Sequence, residues 1–198
     1  MCHFTSNMYG YENTDLHKYE YLMTHDDEAG YIQEAAFDPI EIMENREELM
    51  GALSYRVTGI KDGKPHQGYI DGSLNLWNFV KGYLRNYKIT PKLPQMVEIL
   101  NNPDMEWRHL PQPDTYVIKT KMFETETWKN WIKAVNKFGG NYKYRWGDCL
   151  VLGMYYHIHH GEVYDFSEEG NPVKMGIYKQ NAFRHIQDYA PGVKDNSR

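Results

Sequence analysis

The stretch Tyr19-Glu20-Tyr21-Leu22-Met23-Thr24-His25-Asp26-Asp27-Glu28 decides how the rest of the chain is read. Its first six residues are rich in aromatic and apolar side chains and suit a short strand. Its last three are consecutive carboxylates at the end of that strand. Like charges a few ångströms apart repel, so one acid stays protonated unless something cationic binds there. A hard divalent metal with oxygen ligands resolves the conflict. Such a metal at a strand end can in turn grip a diphosphate. The alternative is a solvated turn that carries its acids into water.

Outward from this corner, the carboxyl-terminal side alternates strand and helix signals. Asp38-Pro39 opens a helix to about Glu48, with Asp as N-cap and Pro in the first helical position. Residues Ala52 to Thr58 read as a strand, closed by the Asp62-Gly63 turn signal. Leu74, Trp77, Val80, Tyr83, Leu84 and Tyr87 recur at helical spacing and predict a helix over 72–88. Its aromatic stripe reads as core and not as a ligand platform. Pro91 and Pro94 flank a break before a short helix over 93–101, and three further prolines make 102–114 a loop, long enough for a rim or lid. Thr115 to Lys121 reads as a strand, and 124–138 as a helix ended by Gly139-Gly140. Cys149 to His157 is apolar and predicts a buried helix with Asp148 as its N-cap, and Glu162 to Phe166 a late strand. On the amino-terminal side, residues 3–18 have a weak helical pattern broken by Gly10. Residues 188–198 read as a polar tail, which leaves 1–187 as one domain. Strands separated by helices predict a mixed α/β sandwich. Ligands in such folds favour the carboxyl ends of strands, where the acidic corner lies.

Composition narrows the function classes. The chain has 198 residues, 41% of them hydrophobic and 15% aromatic, enough for a packed core and against global disorder. Net charge is -5 and no dense Lys/Arg block occurs, which argues against nucleic acid as a partner. Cys2 and Cys149 are too few for a disulfide framework or a cysteine metal site. No apolar run reaches the length of a membrane span, and the amino terminus lacks a signal-peptide pattern, so the chain reads as soluble.

Several of these stretches together resemble the fungal α-1,2-mannosyltransferases of glycosyltransferase family 15. Met1-Cys2-His3-Phe4-Thr5-Ser6 is similar to the family's Met-Cys-Arg-(aromatic)-Asn-Ser, and Lys18-Tyr19-Glu20-Tyr21 to the start of its central strand. The acidic corner falls where the family carries its Glu-Pro-(Asp/Asn) variant of the DxD motif. Phe37-Asp38-Pro39-Ile40 resembles its Tyr-Asp-Pro-Phe. Gly139-Gly140-Asn141-Tyr142, followed by Tyr144-Arg145-Trp146-Gly147-Asp148, resembles its Gly-Gly-Phe-Phe-Tyr-Glu-Arg-Trp-Gly-Asp. This last block is the most specific. There are departures. Met1 falls on a methionine internal to the family, so the family's first strands have no counterpart in this chain. The family's candidate catalytic glutamate falls on Val117. Its late metal-binding histidine has no clear match.

The resemblance implies a GT-A-like fold, a mixed sheet flanked by helices, incomplete at its amino terminus. It implies a metal-dependent, retaining transferase moving a sugar, with mannose from GDP-mannose as the family's case, to a hydroxyl of a glycan or glycoprotein acceptor. Asp26 and Asp27 would meet the nucleotide sugar, and Glu28 with Asp27 would hold Mn²⁺ or Mg²⁺. Asp148 would be the acceptor-side carboxylate, orienting or deprotonating a hydroxyl, or a plain N-cap. Arg145 would pair with phosphate, or be a surface cation. Trp146 would stack on a sugar face, or pack. His157, His159 and His160 read as a helix-end cluster favoured by the dipole when charged, with metal ligation as the alternative. The family implies a Golgi lumen location. The competing reading is a non-catalytic carbohydrate-binding remnant of the same fold, and a third is a metal-dependent hydrolase using the acidic corner.

Overall fold

A computed structural model describes residues 15–25, 38–46, 51–53, 60–61, 64–65, 73–102, 115–161 and 164–165, with residues 25, 51–53, 60–61, 64–65, 115, 148–149 and 164–165 described by their backbone alone. A 3₁₀ turn, Asp15–Lys18, leads into β1 (Tyr21–His25). Then come α1 (Pro39–Asn45), β2 (Gly51–Leu53), β3 (Ile60–Lys61) and β4 (Lys64–Pro65). Two helices follow, α2 (Leu76–Tyr87) and α3 (Gln95–Asn101). After β5 (Thr115–Lys119), a 3₁₀ segment Thr120–Glu124 precedes α4 (Glu126–Phe138), the single turn α5 (Gly140–Lys143), α6 (Asp148–His159) and β6 (Tyr164–Asp165). The expected strand over 115–121 is thus shorter by two residues, because the chain tightens into the 3₁₀ segment at Thr120. The acidic corner, the loop over 103–114 and the tail lie outside the described residues.

The sheet has the order β1-β5-β2-β6. β5 is antiparallel to both β1 and β2, and β2 is parallel to β6, so β1, β2 and β6 all run one way. This is the expected mixed sheet. A separate ribbon pairs Lys61 with Lys64, a register that leaves room for the two-residue turn expected at 62–63. Thr120 clamps the start of β1 to the end of β5. Its backbone N–H donates to Glu20 O at 2.9 Å and its hydroxyl to Tyr19 O at 2.6 Å.

Period-two alternation along β5 sends Tyr116 and Ile118 into the main aromatic core, with Leu22 packed against it. Val117 points to the other face and is fully buried apart from that core, as is Met43 of α1. α1 flanks this second face. The Tyr21 hydroxyl, which shares it, is raised in pKa by burial and then by the carboxylates of Glu20 and of Glu44 in α1. The main core is built by the helices whose periodicity the sequence displays. Trp131 and Trp146 are both fully buried, and truncating either to alanine costs about 3–5 kcal/mol. Each also finds a backbone partner for its indole N–H, as buried tryptophans need. Trp131 donates to Val151 O at 3.1 Å and Trp146 to Leu74 O at 2.8 Å.

α6 is the central helix, buried on all sides from Leu150 to Ile158. That explains why its sequence is apolar all round and not striped. No helix among the described residues is long and apolar enough to cross a membrane.

Candidate functional site

Strand direction gathers the chain at one edge of the sheet. The register pairs His25 with Thr115 and Leu53 with both Tyr116 and Asp165. The carboxyl ends of β1, β2 and β6 therefore share an edge with the start of β5. Asp26, Asp27 and Glu28 follow β1 in the sequence and lie outside the described residues. One step inside it, Thr24 and Tyr116 are cross-strand partners on the helix-facing side. The Thr24 hydroxyl is buried and has no hydrogen-bond partner among the described residues. The Tyr156 hydroxyl of α6 is likewise buried and unpartnered. Its pKa is pushed well up by burial and then by the neighbouring Tyr155 and Tyr116 hydroxyls, so it stays a neutral donor. Orphaned hydroxyls in a core cost about 1–3 kcal/mol each unless a ligand or water meets them.

The block Gly139 to Asp148 is explained residue by residue. Gly139 takes a left-handed φ of 77° and closes α4, its N–H donating to Val135 O. This is the expected glycine stop. Gly140 has a different reason. The Trp146 ring lies against its Cα, so that any side chain would collide with the indole. Trp146 is stacked on Phe138 at 5.4 Å and 15°, with Tyr144 stacked at 6.1 Å. Its exposure is 0%, so packing is the role its surroundings give it, with no ring face open to a sugar. Asn141 helps to hold it by donating its side-chain amide to Trp146 O at 3.2 Å. Arg145 is exposed and adopts a left-handed φ of 57°. For a residue with a Cβ this conformation costs on the order of 1 kcal/mol.

Asp148 is not the N-cap that its position suggests. Gly147 occupies the cap, with φ -73° and ψ 160° and no side-chain cap bond, and Asp148 is the first helical residue. A carboxylate in a first helical turn is favoured in its ionised form by the helix dipole.

The opposite end of α6 carries His157, His159 and His160. The helix stops here, with Gly161 at φ 99° and the N–H groups of His160 and Gly161 both donating to Tyr156 O. The expectation of charged imidazoles is corrected. Burial and then His160 pull the His159 pKa down to about 4, and burial also lowers that of His160. Both rings are neutral near pH 7, so the carbonyls of this end are answered by backbone and not by cations. Lys92 and Leu93 donate their N–H groups to Ile158 O and His157 O at 2.9 and 3.0 Å. No group of three metal-ligating side chains occurs among the described residues, these histidines included. The sequence reading did not foresee that His159 Nε2 meets the Tyr83 hydroxyl at 3.3 Å, across 76 residues of chain. The only local trace was that both positions carry polar tips on otherwise apolar helix faces.

Comparison with known proteins bears on this arrangement. No protein-family model matches the chain, and no curated protein matches it by sequence. Its structure does match that of core-mannan synthase A (CmsA/Ktr4) from Aspergillus fumigatus in its Mn/GDP form, with a TM-score of 0.60 at 16% identity. The match covers 85% of this chain and 45% of that one, so the chain spans somewhat under half the length of the protein it resembles. That protein is a Ktr-family member of glycosyltransferase family 15 with a GT-A fold, so the resemblance drawn from the residues is borne out at the level of the fold.

Proposed function

We propose that this chain is a metal-dependent glycosyltransferase, moving a sugar, mannose from GDP-mannose in this reading, to a hydroxyl of a glycan or glycoprotein. The observation that carries the reading is the shared fold with a mannosyltransferase crystallised with Mn and GDP, over 85% of this chain. Residues 1–187 form the transferase domain in this reading.

The donor set on Asp26, Asp27 and Glu28 is all hard oxygen, which fits Mn²⁺ or Mg²⁺. The buried hydroxyls of Thr24 and Tyr156 fit a polar ligand at the same sheet edge. When bound there, a divalent cation supplies Lewis-acid neutralisation of the leaving diphosphate. Glu28, with Asp27, holds it, and Asp26 orients the nucleotide sugar. Arg145, which is exposed, pairs with phosphate oxygens. Asp148, at the start of α6, orients the acceptor hydroxyl and takes its proton as the new glycosidic bond forms and the bond to the diphosphate breaks.

The second reading, a carbohydrate-binding remnant, is favoured by one specific observation. Val117 stands where the family carries its candidate catalytic glutamate, and it is fully buried. One experiment separates the two. GDP binding is titrated with and without Mn²⁺, and mannose transfer is followed, in the starting protein and in Asp26→Ala and Glu28→Ala. The transferase reading expects Mn²⁺-dependent GDP binding and a loss of transfer of at least about a hundredfold in each variant, the order of about 3 kcal/mol. Unaltered transfer in both variants would reject the site. Glycan binding without any GDP binding would favour the remnant.

A further inference from the structure

A second concavity lies away from the sheet edge, between α2 and α4. It encloses about 530 Å³, within the range of small-molecule sites. From Asn78 to Tyr87 it follows α2 for roughly 13 Å at the helical rise of 1.5 Å per residue. Its middle is floored by Gly82 on α2 and Ala134 on α4.

Gly82 is the telling residue. A glycine inside a helix costs about 1 kcal/mol relative to alanine. Packing does not demand it here, because a Cβ at Gly82 would meet nothing within 4 Å. What the missing side chain leaves is open space in the groove. The lining around it combines apolar rings, Phe79, Tyr83 and Phe138, with amides and cations. Asn78, Asn86 and Asn130 bring amides, that of Asn78 donating to Asn75 Oδ1 at 3.2 Å, and Tyr87, a residue 46% exposed, brings a ring that packs against Tyr83 at 4.6 Å. Lys133 and Lys137 are the charged side chains of the lining, and no acid is among its residues. The amides of Asn86 and Asn130 and both ammonium groups have no side-chain partner among the described residues.

We propose that this groove binds a short oligosaccharide, its ring face on Tyr87, its hydroxyls on the asparagine amides and any acidic substituent on Lys133 and Lys137. Amides match the paired donor and acceptor character of sugar hydroxyls, and an aromatic face suits the apolar face of a pyranose. A protein partner would be expected to meet a larger apolar surface than this, and the GDP titration read in parallel tests a nucleotide as occupant. The proposal rests on the carbohydrate-handling reading above and adds to it a holding site distinct from the sheet edge.

The test titrates the full chain with α-mannotriose and with a phosphorylated α-mannotriose, reading amide shifts on α2 and α4 and the affinity by calorimetry. Both ligands are expected to shift α2 and α4. The phosphorylated one is expected to bind more tightly at low salt and to lose that advantage in Lys133→Gln/Lys137→Gln. Gly82→Leu is expected to weaken both at least about tenfold, the equivalent of 1.4 kcal/mol, while its melting temperature stays level or rises. Asn86→Ala/Asn130→Ala, at solvent-facing positions, gives a second variant that leaves the core intact. Unchanged affinity in Gly82→Leu, or the absence of shifts on α2 and α4, overturns the proposal. Self-association relieved by Gly82→Leu without an effect on glycan overturns it in favour of a second copy as occupant. GDP and Mn²⁺ binding read in parallel keeps the two conclusions apart. Glycan shifts without GDP binding retain the groove and reject the transferase, and GDP binding without glycan shifts does the reverse.

Discussion

The two ends of α6 are built on opposite principles. At the carboxyl end every device for closing a helix is present. Gly161 takes the left-handed turn, His160 and Gly161 return their N–H groups to Tyr156 O, and Lys92 and Leu93 reach across to the carbonyls of Ile158 and His157. At the amino end the chain is held just as firmly up to Trp146, by the Gly140 contact and the bond to Leu74 O, and then stops short. Gly147 brings no capping side chain, and Arg145 is strained. A helix start without a capping side chain leaves its first N–H groups to partners other than its own cap, whereas the carboxyl end is closed by backbone bonds. The contrast sets a helix end closed by backbone bonds against one without a side-chain cap.

The sharpest way to break that contrast is at Gly140. Gly140→Ala must push the Trp146 indole off the backbone. The expected cost is about 1–3 kcal/mol, with a melting temperature lower by roughly 2–4 °C for each kcal/mol and a change in tryptophan emission. An unchanged melting curve would show that the amino end is not anchored as described.

The carboxyl end gives the next effect. His159 has a folded pKa of about 4 against an ordinary 6.5, so the unfolded chain binds more protons between these values. The stability this neutral ring contributes is present above about pH 6.5 and is lost as the pH falls towards 4. Because the ring is only partly buried, solvent screening reduces the effect to on the order of 1 kcal/mol. Chemical denaturation at pH 7.5 and pH 4.5 should show the loss in the starting protein and a smaller one in His159→Gln. Equal pH sensitivity in both would remove His159 from the closure of this end.

The smallest change tests the open end directly. Gly147→Ser adds a capping hydroxyl and is expected to stabilise α6 by only about 0.3 kcal/mol, read as a melting temperature raised by about a degree. If the open start serves the reaction, transfer should fall in the same variant. A rise in stability with undiminished transfer would mean that the free helix start is incidental.

Much of this was legible locally. Asp38 accepts from Ile40 N at 2.7 Å, as its Asp-Pro context implied. Thr125 caps α4, and Gly139 and Gly161 end the two helices that they follow. The helices α2 and α4 follow from apolar spacing, and β1 from its run of aromatic and aliphatic residues. What misled was also local in kind. Asp148 stands before an apolar run and reads as a cap, but the turn places Gly147 there. Histidines at a helix end read as dipole partners when charged, but burial, and for His159 also the neighbouring His160, keeps His159 and His160 neutral near pH 7.

The sequence by itself determined the period of each helix and its stops, because these depend on residues within a turn or two of one another. It also determined the run of acids and the block around Trp146 on which the family resemblance rests. Only the tertiary structure decided that β5 lies between β1 and β2 and so brings three strand ends to one edge. Only it decided that Gly140 is required by an indole and that Gly82 is required by no neighbour at all. Those facts depend on which distant surfaces meet, and contact between remote segments leaves no mark in local spacing.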